Sequence, residues 1–450
     1  MIRNAILLYL LSCSFILTAT PIATHKVEGL NKPAIKPTDL APVLDSLATH
    51  SAITRKNLGQ SFLGQPIDAF YIGSGPIKVM LWSQMHGDEN TASAALMDFL
   101  SYVIDDENKT WRKSWQNKLS LMVIPMINPD GAQLQTRFNA QGIDLNRDAK
   151  ALRTPEGQLL MAAAKSFKPD FGFNLHDQNA YYGAGEKGLP ATISVLAPAY
   201  NQQREINLSR GNAMKLIAQL SKLIEQEVPN HLAKYNDSYS YRSFGDTFSE
   251  MGISTILIES GAYPHDPNRQ VARKINRMLY VQMIDELISD KWQQQEIATY
   301  QAIPFNVKDA WVDLLINDVT ILSPQGSYVT DIAINAKGRY PQINELGDIS
   351  SIRQGFTQLD AHTLSFDAGK AYPLAKPLDL TTEKYRQLLV QGYSCFSGDL
   401  TLINNQSDWL SYQCANTLSA MPTRHGAAAF ILREQGTVKY AVLGEQLIKL

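Results

Sequence analysis

An α/β layered fold with helices on both faces of its sheet is predicted over residues 51–292, with a small β domain after it. Two observations carry this. Short apolar runs, each ending in polar residues, alternate with amphipathic helical stretches. From Trp292 onward the texture changes to a polar connector and then to short strand-like segments separated by turn residues. The 450 residues suffice for two or three domains, and 44% hydrophobic with 19% charged residues describe an ordinary globular chain. A formal net charge of -2, with no basic cluster or aromatic-basic ladder, excludes nucleic acid as a partner.

The elements follow in order. Arg3, the mainly apolar stretch Ala5 to Leu17, and the small and polar residues through Thr24 have the layout of a secretory signal, so residues 1–24 are expected to be removed and the protein exported to the periplasm or beyond the cell. The apolar run is shorter than the roughly 20 residues that span a bilayer. Leu10-Leu11-Ser12-Cys13 loosely resembles a lipidation signal at Cys13, but the apolar run continues past it to Leu17. Residues 25–50 read as an extended lead-in and a short helix. Phe62 to Ile72 and Ile77 to Trp82 are expected to be neighbouring strands joined by the turn Gly73-Ser74-Gly75-Pro76.

The second of these strands delivers Met85-His86-Gly87-Asp88-Glu89-Asn90, ahead of a helix from Thr91 to Tyr102. His86 and Glu89, three residues apart at a strand-to-helix turn, can aim an imidazole nitrogen and a carboxylate at one point, and zinc suits that donor set. Leu119 to Ile127 reads as a strand covered on both faces, ending in the turn signal Asn128-Pro129-Asp130-Gly131. Pro155 to Phe167 is helical, with Pro155 in the first turn, and Phe171 to Leu175 then leads to His176. Ala199 to Glu227 reads as largely helical. A Tyr- and Ser-rich segment, Tyr235 to Phe248, follows with Gly245 as a hinge, and Ile253 to Ile258 presents Glu259 at a strand end before the helix Val271 to Ile288.

Five motifs stand in a fixed order: His86 to Glu89, Asn128 to Gly131, Gly142-Ile143-Asp144-Leu145-Asn146-Arg147, Asn174-Leu175-His176-Asp177, and Ile256-Leu257-Ile258-Glu259. With them, residues 50 to 290 resemble the zinc carboxypeptidase family, M14. The resemblance implies a mixed, mostly parallel sheet and one zinc ion held by His86, Glu89 and His176. It further implies Glu259 as general base, Arg137 polarising the scissile carbonyl, Asn146 and Arg147 gripping a substrate's terminal carboxylate, and Asp144 supporting His86. The family's mobile tyrosine has three counterparts here, Tyr235, Tyr239 and Tyr241, of which Tyr241 is taken. The implied reaction is zinc-dependent amide hydrolysis, most simply removal of C-terminal residues from peptides, cell-wall peptides among them. Deacylases of the succinylglutamate desuccinylase or aspartoacylase type share the first and third motifs, although the Asn128 to Gly131 motif and export favour a peptidase. A metal-free binding protein on the same fold is the reading outside enzymes.

Residues 303–450 are expected to form a β-rich accessory domain, with Leu314-Leu315-Ile316 and Asp331-Ile332-Ala333-Ile334 suggesting a sandwich. Two cysteines, Cys395 and Cys414, remain once Cys13 is removed, and in an exported protein their pairing would add roughly 2 to 4 kcal/mol.

Overall fold

The computed structural model of the chain describes residues 22–186, 188–336, 341–414 and 418–450. Cys13 and most of the expected signal stretch lie outside these residues. Among the described residues, no helix is long and apolar enough to cross a membrane.

The first part is built from α1 (Pro37–Ala48), β1 (Thr54–Gln60), β2 (Pro66–Ile72), β3 (Ile77–Ser83), α2 (Thr91–Ile104), α3 (Lys109–Trp115), β4 (Leu119–Ile124), α4 (Pro129–Leu134), α5 (Pro155–Phe167), β5 (Phe171–Asp177), β6 (Gly183–Ala184), β7 (Ile193–Leu196), α6 (Leu208–Glu227), β8 (Leu232–Lys234), α7 (Phe244–Glu250), β9 (Ser254–Ser260) and α8 (Gln270–Ser289). Eight strands form one sheet in the order β1-β2-β4-β3-β5-β9-β7-β8. Its centre, β4-β3-β5-β9, is parallel, and β1, β2 and β7 join antiparallel. Alternate residues of each central strand serve opposite faces. Val79 and Leu81 pack with α2, α6 and α8, while Met80 and Trp82 pack with α5 and α7.

Because β4 lies on one side of β3 and β5 on the other, the strand order reverses at the end of β3, the place at which open α/β sheets form a crevice beyond the carboxyl ends of their strands. His86, His176 and Glu259 all sit at that edge.

Several expectations are corrected. β2 and β3 are not neighbours, since β4 lies between them. The link 73–76 is no hairpin turn but passes against the chain entering β4, with Ser74 N donating to Gln116 O and Ile77 N to Lys118 O. A Cβ on Gly75 would lie 1.9 Å from the Lys118 carbonyl carbon, so glycine is required by the approach. Asn128 to Gly131 opens α4 rather than making an isolated turn: Asn128 Oδ1 caps the helix by accepting from Gly131 N (2.9 Å), and Pro129 takes the first position. The helix expected from Ala199 begins only at Leu208, where Asn207 caps it. Gly245 is buried inside α7 against Pro198 and Asn174, which is no place for a hinge.

The lead-in is fastened to the body. Arg277 donates to the carbonyls of Ile22 and Ala23, Arg273 donates to Val27 O, and Leu30 and Ile35 are buried. The expected polar connector folds as a short 3-10 turn, Lys291–Gln294, and α9 (Ile297–Gln301), with Tyr300 buried and its hydroxyl accepting from Ala197 N.

Beyond it, β10 (Asn306–Val307) pairs with β6. β11 (Trp311–Ser323) and β12 (Gly326–Asn335) contain the two apolar runs and pair as an antiparallel hairpin, Leu314 opposite Ile334 and Ile316 opposite Ile332. The C-terminal region is β-rich, with one eight-stranded and two two-stranded sheets among the described residues. The eight-stranded sheet carries apolar residues on both faces: Phe430 and Leu432 serve one cluster, Ile431 and Ala441 the other, the latter covered by the helix Thr382–Val390. Cys395 and Cys414 are joined by a disulfide within that second cluster.

Candidate functional site

His86 reaches the crevice because β3 ends at Ser83 and Gln84 turns the chain at positive φ (53°). Glu89 follows one turn later, just before α2. The approach of this loop to α4 is so close that a Cβ on Gly87 would lie 1.9 Å from the carbonyl carbon of Gly131. His176 arrives on β5, and its register partner on β9 is Glu259.

The three side chains converge. Glu89 Oε1 lies 2.7 Å from His86 Nδ1 and Glu89 Oε2 lies 2.7 Å from His176 Nδ1, while the two Nδ1 atoms stand 3.2 Å apart. One donor atom from each residue falls within 4.8 Å of the others. Two imidazoles and a carboxylate in such a group fit zinc, three protein ligands being the usual number in a catalytic site. Asp144 Oδ1 accepts from His86 Nε2 (3.1 Å) and from Asn146 N (2.9 Å), which fixes the imidazole with Nδ1 turned inward.

Arg137 bridges the same groups: its Nε donates to Asp144 Oδ2 (3.1 Å), and its Nη1 lies 3.2 Å from His86 Nδ1 and 3.4 Å from Glu89 Oε1.

Burial alone would raise the Glu89 carboxyl, but the His176 and His86 imidazoles outweigh it and hold the group far below the usual carboxylate range. Burial lowers His176 despite Glu89. For His86, burial is overcome by the hydrogen bonds to Asp144 and Glu89, and the net shift is upward. Burial, reinforced by the Glu89 and Asp177 charges, pushes Glu259 well above the carboxylate range, with Arg137 and Arg269 opposing. Asp177, whose Oδ2 accepts from Thr91 N and Thr91 Oγ1 at the start of α2, is pushed by burial up to about 6.

Asn146 holds its side-chain oxygen on Phe244 N (3.0 Å), tying its loop to α7. Arg147 is exposed. Its guanidinium Nη1 donates to Asn146 O, and the acids that could have claimed it are engaged elsewhere, Asp144 as above and Asp148 by Arg153 N and Thr154.

Tyr241 is not brought to the cluster. It is 61% exposed, beneath the Lys150 ammonium, because Ser240 and Ser243 bond Asp246 and turn the segment onto α7. Tyr235 takes the inward position: its backbone continues β8 by donating to Val195 O, and its ring lies 5.8 Å from that of Tyr182. Burial and then the Glu259 charge raise its hydroxyl. Tyr182, which sequence reasoning missed, carries no motif. Its place follows from the loop between β5 and β7.

Residues 41–178 match the family model described as zinc carboxypeptidase. The match contains His86, Glu89, Arg137, Asp144, Asn146, Arg147 and His176, while Glu259 and Tyr235 lie beyond it. Among curated proteins, an uncharacterized protein of Zymomonas mobilis subsp. mobilis is 28% identical over 32% of this chain and 40% of its own length. Carboxypeptidase 2 of Trichophyton tonsurans is 24% identical over 31% of this chain and 25% of its own. The chain thus spans less than half the length of either relative. A metallo-carboxypeptidase from Burkholderia cenocepacia is similar at 16% identity and a TM-score of 0.45, over 57% of this chain and 70% of that one.

Proposed function

We propose, from the match of residues 41–178 to the zinc carboxypeptidase family model, that the chain is an exported, zinc-dependent metallopeptidase that removes C-terminal residues from peptides. The observation that carries the reading is the convergence of His86, Glu89 and His176 beside Glu259 at one strand edge. The three would hold one zinc ion, which when bound supplies Lewis acidity toward water and the scissile carbonyl. Glu259, a carboxylate beside the ligands but outside the ligand group, accepts the proton of the attacking water and returns it to the departing amine. Burial beside Glu89 makes it a stronger base than a solvated carboxylate. Arg137 stabilises the carbonyl oxygen as it gains charge. Arg147, which makes no ion pair within 4 Å among the described residues, and Asn146 bind the terminal carboxylate, for which a planar guanidinium offers two parallel donors. Tyr235 closes over the substrate from the β8 end. Residues 303–450 act as an accessory domain.

The test is elemental analysis of the purified protein followed by a substrate panel: peptides with free C-termini, the same peptides C-terminally amidated, cell-wall peptides, and N-acyl amino acids. One equivalent of zinc and cleavage that requires the free carboxylate are expected. Turnover confined to N-acyl amino acids would replace the peptidase reading with a deacylase one, and full activity without zinc would end both.

A further inference from the structure

Beside the cleft, four large apolar side chains stand in water: Phe62, Leu63, Leu134 and Phe138, with exposures of 53%, 62%, 62% and 44%. Scattered apolar residues need no explanation, but these four are gathered by a scaffold of two fully buried carboxylates. Asp130 accepts from Ser61 Oγ (2.8 Å), Gln65 Nε2 (3.2 Å) and Leu63 N (2.9 Å). Glu156 accepts from Phe62 N (3.0 Å) through one oxygen and from Asn139 Nδ2 (3.1 Å) through the other. The β1–β2 loop and the segment carrying Phe138 are therefore locked to the same two acids. Leu134, four residues after Asp130 on α4, lies on the same helix face. Gly131 completes the lock, since a Cβ there would lie 2.5 Å from Phe138 O.

Burying two carboxylates without a cationic partner among the described residues is costly, and here it fixes loops whose apolar side chains point into solvent. Fold stability gains nothing from that exposure. Pre-organised binding does, because side chains already in place lose little freedom when a ligand covers them.

We infer that Phe62, Leu63, Leu134 and Phe138 form an apolar subsite for substrate residues on the acyl side of the scissile bond. The inference rests on the peptidase reading. The patch is continuous with the cleft, for Phe138 follows Arg137, whose guanidinium lies 3.2 Å from His86 Nδ1. The leaving residue's carboxylate is assigned to Asn146 and Arg147, whose loop is tied to α7, and this leaves the rim to the acyl side.

The experiment compares wild type with Phe62→Ser, Leu63→Ser and Phe138→Ser combined, on two peptides with the same C-terminal residue but Leu-Phe or Ser-Asn upstream of it. The side chains are exposed, so the variant should fold, as a thermal melt verifies; Leu208→Ser, exposed on α6, is the control. For the apolar peptide KM should rise about tenfold per contacting side chain lost, with kcat within twofold, and the polar peptide should be unaffected. An unchanged ratio between the peptides would overturn the subsite while leaving the peptidase reading intact. Absence of cleavage of any peptide by wild type would remove both. Loss of concentration-dependent self-association in the variant, with KM unmoved, would make the rim a contact between copies and also overturn it.

Discussion

Two buried ionic clusters flank the same helix, one at the start of α2 and one at Asp98, less than three turns on. In the second, each oxygen of Asp98 accepts two hydrogen bonds: Oδ1 from Val27 N and Arg273 Nη2, Oδ2 from Arg273 Nε and Arg277 Nη1. The surplus guanidinium donors are taken by the carbonyls of Ile22, Ala23 and Val27. That cluster is closed, and it fastens the N-terminal segment. At the cleft the count fails to close. Two imidazole Nδ1 atoms and the Arg137 guanidinium crowd one carboxylate, and the end of β5 holds Asn174 Oδ1, His176 Nε2, Asp177 Oδ1 and Gln178 Oε1, all buried without a hydrogen-bond partner among the described residues. Buried polar groups are ordinarily paired, so a concentration of unpaired ones marks the place where stability is subordinated to chemistry.

The largest effect that could break this contrast lies at Glu259. Glu259→Gln should lower turnover by about 10²- to 10⁴-fold while elemental analysis still finds the zinc and urea midpoints stay at or above wild type. A variant that loses stability instead would place Glu259 with the structural cluster. Conversely, Asp98→Ala leaves two buried guanidinium groups uncompensated and should cost about 3–5 kcal/mol in urea unfolding, with turnover per folded molecule close to wild type. A fall in turnover without loss of stability would erase the distinction.

The two clusters were not equally legible in the sequence. His86, His176 and Glu259 sit at strand ends, Glu89 just before α2 and Asp144 at the cap of a 3-10 turn, and short motifs report such places. Asp98 lies mid-helix and meets Arg273, Arg277 and Val27 only through tertiary packing, so no local pattern signals it. The same physics sorts the fold. α5 was legible to the residue, since Pro155 fits its first turn, and the strand character of Leu314 to Ile316 and Asp331 to Ile334 was legible from their apolar residues, though not their pairing as a hairpin. The place of β4 between β2 and β3 was not, because strand order is decided by long-range pairing. Thr54–Gln60, a polar and mostly solvent-facing edge strand, carries too little apolar alternation to be seen. Tyr241 was preferred over Tyr235 for lack of any local sign that the chain turns outward after β8.

Metal should sharpen the comparison at a smaller scale. With free zinc at 100 times its dissociation constant, the wild type should gain about 2.7 kcal/mol over the chelated form, whereas His176→Ala should retain little zinc and gain almost nothing. Asp98→Ala, destabilised overall, should keep the full zinc increment. If His176→Ala holds a complete equivalent of zinc, the ligand assignment fails, and if Asp98→Ala loses the increment, the two clusters are coupled through α2.

The smallest effect concerns how the closed cluster holds the N-terminal segment. Arg277 reaches three partners at once, donating to Ile22 O through Nε (2.9 Å), to Ala23 O through Nη2 (2.5 Å) and to Asp98 through Nη1 (3.2 Å). Lysine keeps the charge beside Asp98 but is a point donor without the planar fork, so it cannot span both carbonyls and the carboxylate. Arg277→Lys should therefore lose about 1.5 kcal/mol, the net contribution of a hydrogen bond to a charged group. The damage should be local: amide exchange at Ala23 to Val27 should quicken while the β3 and β5 cores stay protected and zinc content and turnover are unchanged. Equal quickening across β3 and β5 would mean that the segment is an integral part of the core rather than a strap fastened onto it. A change in zinc content would show that the cluster at Asp98 is not independent of the one at His86.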